Sequence, residues 1–331
     1  LLEAVPSLLA SNGYASASAL GLVTPEPYAP AAQLGVENGL SLAKTFRSGI
    51  AAPSLAEPQL FTFAGALGNW RPVRGNGAVG TSRAKNDGYG LVGGIGYGSE
   101  SGSIAAFIGY LDSEQRIKGL GSKTDADGVT AGVTGRIAAG GFNLSALLAY
   151  DWSEAKTKRV VPGDEDVAST KYNLHSLVLD ATAGYEVALS DGWAIEPQVG
   201  ITHISTRRGS TIETGSDAFA LEVDKKRLNA TFVDGAITLR GRQGSDSIFQ
   251  PWLQLGVRHQ LEGDLPQATA ALAGMDASFT VLGAARKETV LTAGAGFSAQ
   301  VSPNFRLMAA YQGEFGGGTG TQLNVGINLA F

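Results

Sequence analysis

The final residues of the chain, 321–331, alternate strictly between large apolar and small or polar side chains. The apolar positions are Leu323, Val325, Ile327, Leu329 and Phe331, with asparagine, glycine and alanine between them. In water such a strand would be an aggregation-prone edge. A transmembrane β-strand, by contrast, needs about 9–11 residues with one lipid-facing side. The pattern therefore favours a membrane strand over the last strand of a soluble sandwich.

Composition points the same way. The 331 residues include 46 glycines, and only 17% of the residues are charged, against about 25% in an average soluble domain. Small residues suit strands that crowd each other around a barrel. The sequence also lacks the apolar run of about 18 residues that a transmembrane helix requires. If this chain enters a membrane, it does so with strands.

Twelve segments of alternating character follow one another from about Leu60 onward, and turn signals separate them. In the first segment we place Phe61, Phe63 and Leu67 on the outer, apolar face. The connections alternate between short turns and long links. The short turns are 98–102, 139–141, 190–192, 241–245 and 301–304, and the longer links include 156–171, 206–227 and 261–286.

This alternation of connection length is typical of outer-membrane barrels, which are trimmed at one end and elaborated at the other. The connections of a Greek-key sandwich are not expected to alternate in length in this way. The sequence therefore predicts an all-β transmembrane fold, a 12-stranded antiparallel up-and-down outer-membrane β-barrel over residues 60–331.

Polar side chains collect at the positions of opposite parity, which would face the lumen. An Arg or Lys facing hydrocarbon at the bilayer midplane costs about 2–4 kcal/mol, so this segregation indicates a wet or plugged interior. The lumen residues predicted to contact a plug are Arg136, Asp180, Glu186, Glu196, Asp234, Arg240, Gln254, Arg258 and Glu314.

The first 59 residues differ from the rest. We interpret 1–30, which contains Pro25, Pro27 and Pro30, as a linker or passenger remnant, 31–50 as a helix, and 51–59 as a connector. The helix is too polar to span a bilayer, but it would fit inside a polar pore. Its polar residues predicted to face the barrel are Glu37, Asn38, Lys44 and Arg47. Gly35 and Gly39 each weaken the helix by about 1 kcal/mol.

Several motifs, in their order and spacing, resemble the translocator β-domain of type V autotransporters over residues 31–331. The motifs lie at 63–70 (FAGALGNW), 90–97 (GLVGGIGY), 149–152 (AYDW), 195–200 (IEPQVG), 255–259 (LGVRH) and 311–316 (YQGEFG), followed by the terminal Phe331. The resemblance implies a twelve-stranded barrel plugged by an N-terminal helix, through which a passenger reaches the cell surface.

The resemblance also implies partners. They are the lipid bilayer with its lipopolysaccharide, the barrel's own N-terminal passenger, and the barrel-assembly machinery, which would recognise the last strand through Leu329 and Phe331. We expect a monomer. Some relatives cleave their passenger at an Asn-Asn pair in the helix, whereas this chain has Glu37-Asn38-Gly39, so we expect no cleavage by that route. The start of the sequence lacks a basic leader, and we expect a longer precursor.

Other chemistry has little support in the sequence. A net charge of −5 disfavours nucleic acid as a partner, and the absence of cysteine removes thiolate chemistry. We expect no cofactor and no metal, and we interpret Asp164, Glu165 and Asp166 as a solvated loop. His175, His203 and His259 lie near strand ends without a nucleophile elbow. We therefore expect no enzyme activity; the alternatives are a porin or adhesin, or a hydrolase with its site at the rim.

Overall fold

The computed structural model describes residues 2–53, 55–163, 167–190, 192–216, 218–241 and 248–331. Its main sheet is a closed antiparallel barrel in which each strand pairs with its two neighbours in the chain, and the first strand pairs with the last. The strands are β1 (Gln59–Val73), β2 (Ala84–Ser99), β3 (Gly102–Ile117), β4 (Ser122–Ala139), β5 (Phe142–Val160), β6 (Val167–Tyr185), β7 (Trp193–Arg208), β8 (Lys226–Gly241), β9 (Phe249–Gly263), β10 (Thr289–Ser302), β11 (Phe305–Phe315) and β12 (Gly320–Ala330). A short segment, Val187–Ser190, continues β6 after a break at Glu186 and also pairs with β7. The predicted twelve-stranded barrel is confirmed.

The terminal strand shows why the barrel closes. In β12 the apolar residues Leu323 to Leu329 are 40–49% exposed on the outside, whereas Asn324 and Asn328 are buried inside. Both edges of β12 are paired: Phe61 lies opposite Ala330, and Phe305 lies opposite Leu329. Closure therefore removes the exposed edge that the alternating pattern would otherwise leave.

The two ends of the barrel differ. At the short-turn end, β2–β3, β4–β5 and β10–β11 are joined by tight turns, while the predicted turns at 190–192 and 241–245 include residues outside the described part. The long-loop end carries a separate small sheet of strands Thr211–Ile212, Leu221–Val223, Gln267–Leu272 and Ser278–Leu282. The predicted link 156–171 is too long, because β5 continues to Val160 and β6 begins at Val167. The residues added to the two strands alternate in burial as the rest of each strand does.

A helix occupies the lumen. Helix α1 (Ala17–Leu22) is short, and helix α2 (Ala31–Arg47) lies inside the barrel with nearly all of its residues buried. Its start is near the long-loop end, where Gln115 donates a hydrogen bond of 2.8 Å to the Pro30 carbonyl. The chain after the helix bonds toward the other end through Asn328 and the Ile50 carbonyl. Within the described residues, neither helix is long and apolar enough to cross a bilayer.

The predicted orientation of β1 is wrong. Phe61, Phe63 and Leu67 are at most 5% exposed and point into the lumen, where Phe63 packs edge-on against Phe46 of α2 with 6.1 Å between ring centroids. The lipid side of β1 carries small residues such as Ala64 instead. The plug supplies an apolar surface inside the barrel, so large apolar residues do not by themselves mark the outside.

Two glycines let α2 approach the barrel wall. An ideal Cβ built at Gly35 would overlap Ser176 and Thr206, and one built at Gly39 would lie 2.9 Å from Ile204 and from Val178. Glycines four residues apart form one flat stripe on a helix. This stripe rests on β6 and β7, so close packing accounts for residues that intrinsically weaken the helix.

Substitution of Gly35 by alanine separates these two effects. Helix propensity alone would stabilise the protein by about 1 kcal/mol, whereas overpacking against Ser176 and Thr206 costs about 1–3 kcal/mol. We expect Gly35→Ala to lower the free energy of unfolding in urea, measured in detergent micelles. Gly77→Ala is the matched control, because no atom lies within 4 Å of its added Cβ. A gain of stability in Gly35→Ala would contradict the close packing.

Candidate functional site

Glu314 on β11 is the centre of an ion-pair network between the plug and the barrel. Its carboxylate is 1% exposed and pairs with Lys44 of α2 and with Arg71, Arg258 and Arg286 of the barrel. The distance from Arg286 Nη2 to Glu314 Oε2 is 2.8 Å. One carboxylate therefore receives four cations, which requires further acids nearby.

Glu37 of α2 is one of those acids. Arg71 Nε donates to Glu37 Oε2 at 2.9 Å, and Arg286 bonds the other oxygen of the same carboxylate. Arg71 and Arg286 thus each bridge Glu37 and Glu314. The guanidinium fork makes such a two-sided bridge possible, and it ties the middle of the helix to β1, β11 and the loop before β10.

Arg47, at the last turn of α2, forms the other half of the network. It binds Asp180 on β6 with two hydrogen bonds, of 2.6 and 2.9 Å, and Asp234 on β8 with one of 3.0 Å. Arg258 then joins the two halves, since its Nε donates to Asp234 at 2.6 Å while its Nη1 reaches Glu314. A cation near a helix C-terminus is also favoured by the helix dipole.

Uncharged hydrogen bonds fix the remaining sides of the helix. Asn38 donates to Ser113 at 3.2 Å, and Thr45 donates to Asn324 at 2.9 Å. Gln322 bonds both Ser41 and Thr45. All four predicted plug residues, Glu37, Asn38, Lys44 and Arg47, therefore make polar contacts with the barrel.

Five of the predicted lumen residues lie beyond the C-terminal end of the helix. They line a cavity of about 560 Å³ toward the short-turn end: Arg136, Glu186, Glu196, Arg240 and Gln254. There they bond to each other and to neighbouring strands. Arg240 pairs with Glu196 at 3.0 Å, and Arg136 donates to Asn143 at 2.8 Å.

The structure thus divides the predicted lumen set. Asp180, Asp234 and Glu314 bond to α2 directly, and Arg258 connects two of them. Sequence reasoning missed Arg71 and Arg286. Arg71 has the same parity as Phe61 and Phe63, so the reversed orientation of β1 placed it outside, whereas Arg286 fell in a predicted long link.

The long-loop end holds the chain before the helix. Residues 25–30 are all buried, and the Tyr28 hydroxyl donates to Glu213 Oε1 at 2.6 Å. Arg159 binds both oxygens of Glu213, at 2.7 and 2.6 Å, and Arg208 lies 5.8 Å from the ring centres of Tyr28 and Tyr172. Burial, together with the negative charge of Glu213, raises the pKa of Tyr28 well above its usual value.

The three histidines are not brought together. They lie on β6, β7 and β9, and each makes a cross-strand contact: His175 with the Tyr150 hydroxyl, His203 with Thr231 and His259 with Thr289. Among the described residues there is no cluster of three metal-ligating side chains. Asp164, Glu165 and Asp166 lie outside the described residues.

The two residues predicted to be recognised during assembly lie at the end of β12. Leu329 is 49% exposed and faces outward. Phe331 follows the strand, is 59% exposed, and its backbone N–H donates to the Leu60 carbonyl at 3.0 Å. Both side chains are therefore on the outer surface of the folded barrel.

A family model described as the autotransporter β-domain matches residues 62–312, which is most of the barrel. The chain belongs to this family. Autotransporter β-domains are outer-membrane barrels associated with protein translocation, and the family is not an enzymatic one. No curated protein matches the sequence significantly.

Solved translocator domains share the fold of this autotransporter β-domain. That of NalP from Neisseria meningitidis has a TM-score of 0.74 at 17% identity, covering 93% of this chain and 100% of that one. The β-domain of Bordetella BrkA has a TM-score of 0.58 at 16% identity, covering 83% and 99%. The transport unit of Escherichia coli AIDA-I gives 0.55 at 14% identity, covering 88% and 98%.

The network of the β-domain can be tested at its centre. Glu314→Gln keeps the shape of the side chain but leaves four buried cations without their shared charge, and breaking a buried ion pair costs about 3–5 kcal/mol. We expect a loss of that size in the free energy of unfolding in urea. Glu154→Gln is the control: its pair with Lys171 is more than half exposed, so its loss should stay below about 1 kcal/mol. Equal effects of the two substitutions would contradict the central role of Glu314.

Proposed function

We propose that this β-domain inserts in the outer membrane, delivers its N-terminal passenger to the cell surface, and anchors the passenger there. The path of the chain carries this proposal. From Ile50, bonded to Asn328 of β12, the polypeptide runs back through α2 to Pro30 and Tyr28 at the long-loop end. Whatever precedes residue 25 therefore leaves the barrel at that end.

The long-loop end corresponds to the cell surface. Outer-membrane barrels have short periplasmic turns and longer extracellular loops, and the connections of this barrel are divided in that way. A passenger joined to residues 1–30 would accordingly lie outside the cell. Residues 31–50 would remain as the plug, 51–59 would connect the plug to the barrel, and 60–331 would form the membrane anchor.

The polar lumen has two roles in this proposal. The network centred on Glu314, with Asp180, Asp234 and Arg258, retains the helix once the passenger has crossed. The cavity lined by Arg136, Glu186, Glu196, Arg240 and Gln254 stays hydrated on the periplasmic side. The absence of an Asn-Asn pair in α2 supports a passenger that is not released by cleavage at that position.

Assembly of the barrel would use its last strand. Before closure, β12 presents unpaired backbone groups and an apolar face, which is the kind of segment that another sheet captures by β-augmentation. We propose that the barrel-assembly machinery recognises this strand through Leu329 and Phe331. The completed barrel then works as a monomer in contact with the lipid bilayer and lipopolysaccharide.

Deletion of residues 1–50 tests the plug. Because an α-helix with its side chains is about 10–12 Å wide, its removal should open a large, long-lived channel in planar bilayers, while deletion of 1–22 alone, which leaves α2 in place, should not. Single-channel conductance is the measurement. Identical traces from the two deletions would rule out α2 as the plug and would favour an open porin.

A reporter fused ahead of Leu1 tests the direction of delivery. On intact cells we expect added protease to remove the reporter. The matched control is the same tag inserted in the turn between Glu100 and Ser101, at the short-turn end, which should stay protected. Protection of the N-terminal reporter together with digestion of the turn tag would reverse the proposed orientation.

A further inference from the structure

The outward face of β5–β8 carries more cations than acids, and these cations lie between the aromatic residues and the long loops. We define the cationic face as Lys156, Lys158, Lys171, Arg207 and Arg227, all outward-pointing side chains on the half of these strands nearer the long loops. The outward positions of the same four strands contain a single acid, Glu154, which pairs with Lys171 at 2.6 Å. This surface lies outside the barrel and is separate from the plug network.

The strand register places these cations opposite one another or opposite a further cation. Lys156 lies directly opposite Lys171, and Arg207 lies directly opposite Arg227. Lys158 lies opposite a further lysine, Lys123. Like charges directly opposite each other in an antiparallel sheet are destabilising, so three such pairs on one face are unfavourable unless something else neutralises them.

Neighbouring acids hold only one member in each of two of these pairs, namely Lys171 and Lys123. Asp125 lies opposite Lys156, but its ion pair is with Lys123, at 2.7 Å. Among the described residues, Lys156, Lys158, Arg207 and Arg227 form no ion pair with any carboxylate. On the neighbouring strands, Asp87 and Glu114 hold Lys85, Arg116 and Lys123, and Asp127 accepts a hydrogen bond from the Tyr110 hydroxyl. An anion from outside the chain can therefore pair with these four cations.

The position of the cationic face indicates what can supply such an anion. Trp152, His175, Arg207 and Arg227 are successive register partners across the four strands, and Trp152 is 49% exposed and packs 4.6 Å from the Tyr150 ring. Aromatic rings of this kind lie at the headgroup level of a membrane. Arg207 and Arg227 lie at the long-loop ends of β7 and β8, and Lys156 and Lys158 lie beyond Trp152 in the same direction. The cationic face is therefore on the long-loop side of the aromatic residues.

We infer that the cationic face is a binding site for the phosphate groups of a phosphorylated glycolipid in the outer leaflet. This inference rests on the proposed orientation, which puts the long-loop end at the cell surface. Guanidinium groups bind phosphate oxygens in bidentate fashion, and lysines bind them as point charges. A lipid bound there would neutralise the opposed pairs and fix the height of β5–β8 in the membrane.

The test compares two quadruple variants of the full chain. One replaces Lys156, Lys158, Arg207 and Arg227 by glutamine. The control replaces four exposed cations in the loops of the same end, Arg74, Arg83, Lys118 and Lys287, and so changes the net charge equally. Each purified protein is titrated in detergent with diphosphoryl lipid A and with its dephosphorylated form, and native mass spectrometry counts the lipid bound.

Each cation near an anionic surface contributes about fivefold to binding, so we expect the first variant to bind diphosphoryl lipid A at least about tenfold more weakly than the control. The dephosphorylated lipid should bind all the proteins weakly. Equal binding by the two variants, or equal binding of the two lipids, would overturn the inference. Loss of wild-type binding in EDTA would also overturn it, because it would show that a divalent cation on the neighbouring carboxylates holds the lipid. Exposure of the N-terminal reporter is scored separately, so failure here leaves the proposed secretion function intact.

Discussion

The structure depends on the absence of water from the bilayer core. A backbone N–H or C=O without a partner there costs several kcal/mol, so strands can cross only as a closed cylinder in which β1 pairs with β12. Closure gives every strand an outer face for lipid and an inner face for the lumen. The period-two pattern and the segregation of charge follow from that geometry.

Closure also creates the problem that α2 solves. The inner faces of twelve strands supply acids and arginines that must be hydrated or paired. Glu37, Lys44 and Arg47 of the helix pair with Glu314, Asp180, Asp234 and the arginines of the barrel wall. The desolvation of such buried pairs offsets much of their attraction, so they add little net stability compared with an apolar plug. They do penalise displacement, because moving the helix by one turn would leave several buried charges unpaired.

The sequence predicts the fold and the site only where the character of the side chains shows which face of a strand is outside and which is inside the barrel. In β2–β12 most outward residues away from the long-loop end are apolar, and this pattern predicts both the strand count and the lumen acids Asp180, Asp234 and Glu314. The same reasoning predicts the wrong orientation for β1, because the plug is apolar around Phe46 inside the lumen and the lipid side of β1 carries alanine. A period of two fixes which residues share a face, but it does not say which face is inside. Because of that ambiguity, the sequence pattern does not place Arg71 in the lumen. Arg286 lies in a loop, where no alternation of side chains is present from which to predict its position.

At the mouth of the barrel the loops depend on the N-terminal segment for their contacts. Arg159 on β5 bonds the Leu22 carbonyl of the N-terminal segment, the Glu213 carboxylate and the Phe219 carbonyl. These hydrogen bonds form together only when the segment and the loop between β7 and β8 are both in place. Tyr28 completes the pocket through Glu213 and the Arg208 guanidinium. Residues 25–30 pack beneath the small loop sheet, where Tyr28 and Ala29 share a buried apolar cluster with residues of that sheet: Leu221, Val223, Ala268 and Ala270. The position of the loop sheet therefore depends on contacts with the N-terminal segment, whereas the backbone pairing of the twelve barrel strands involves other residues.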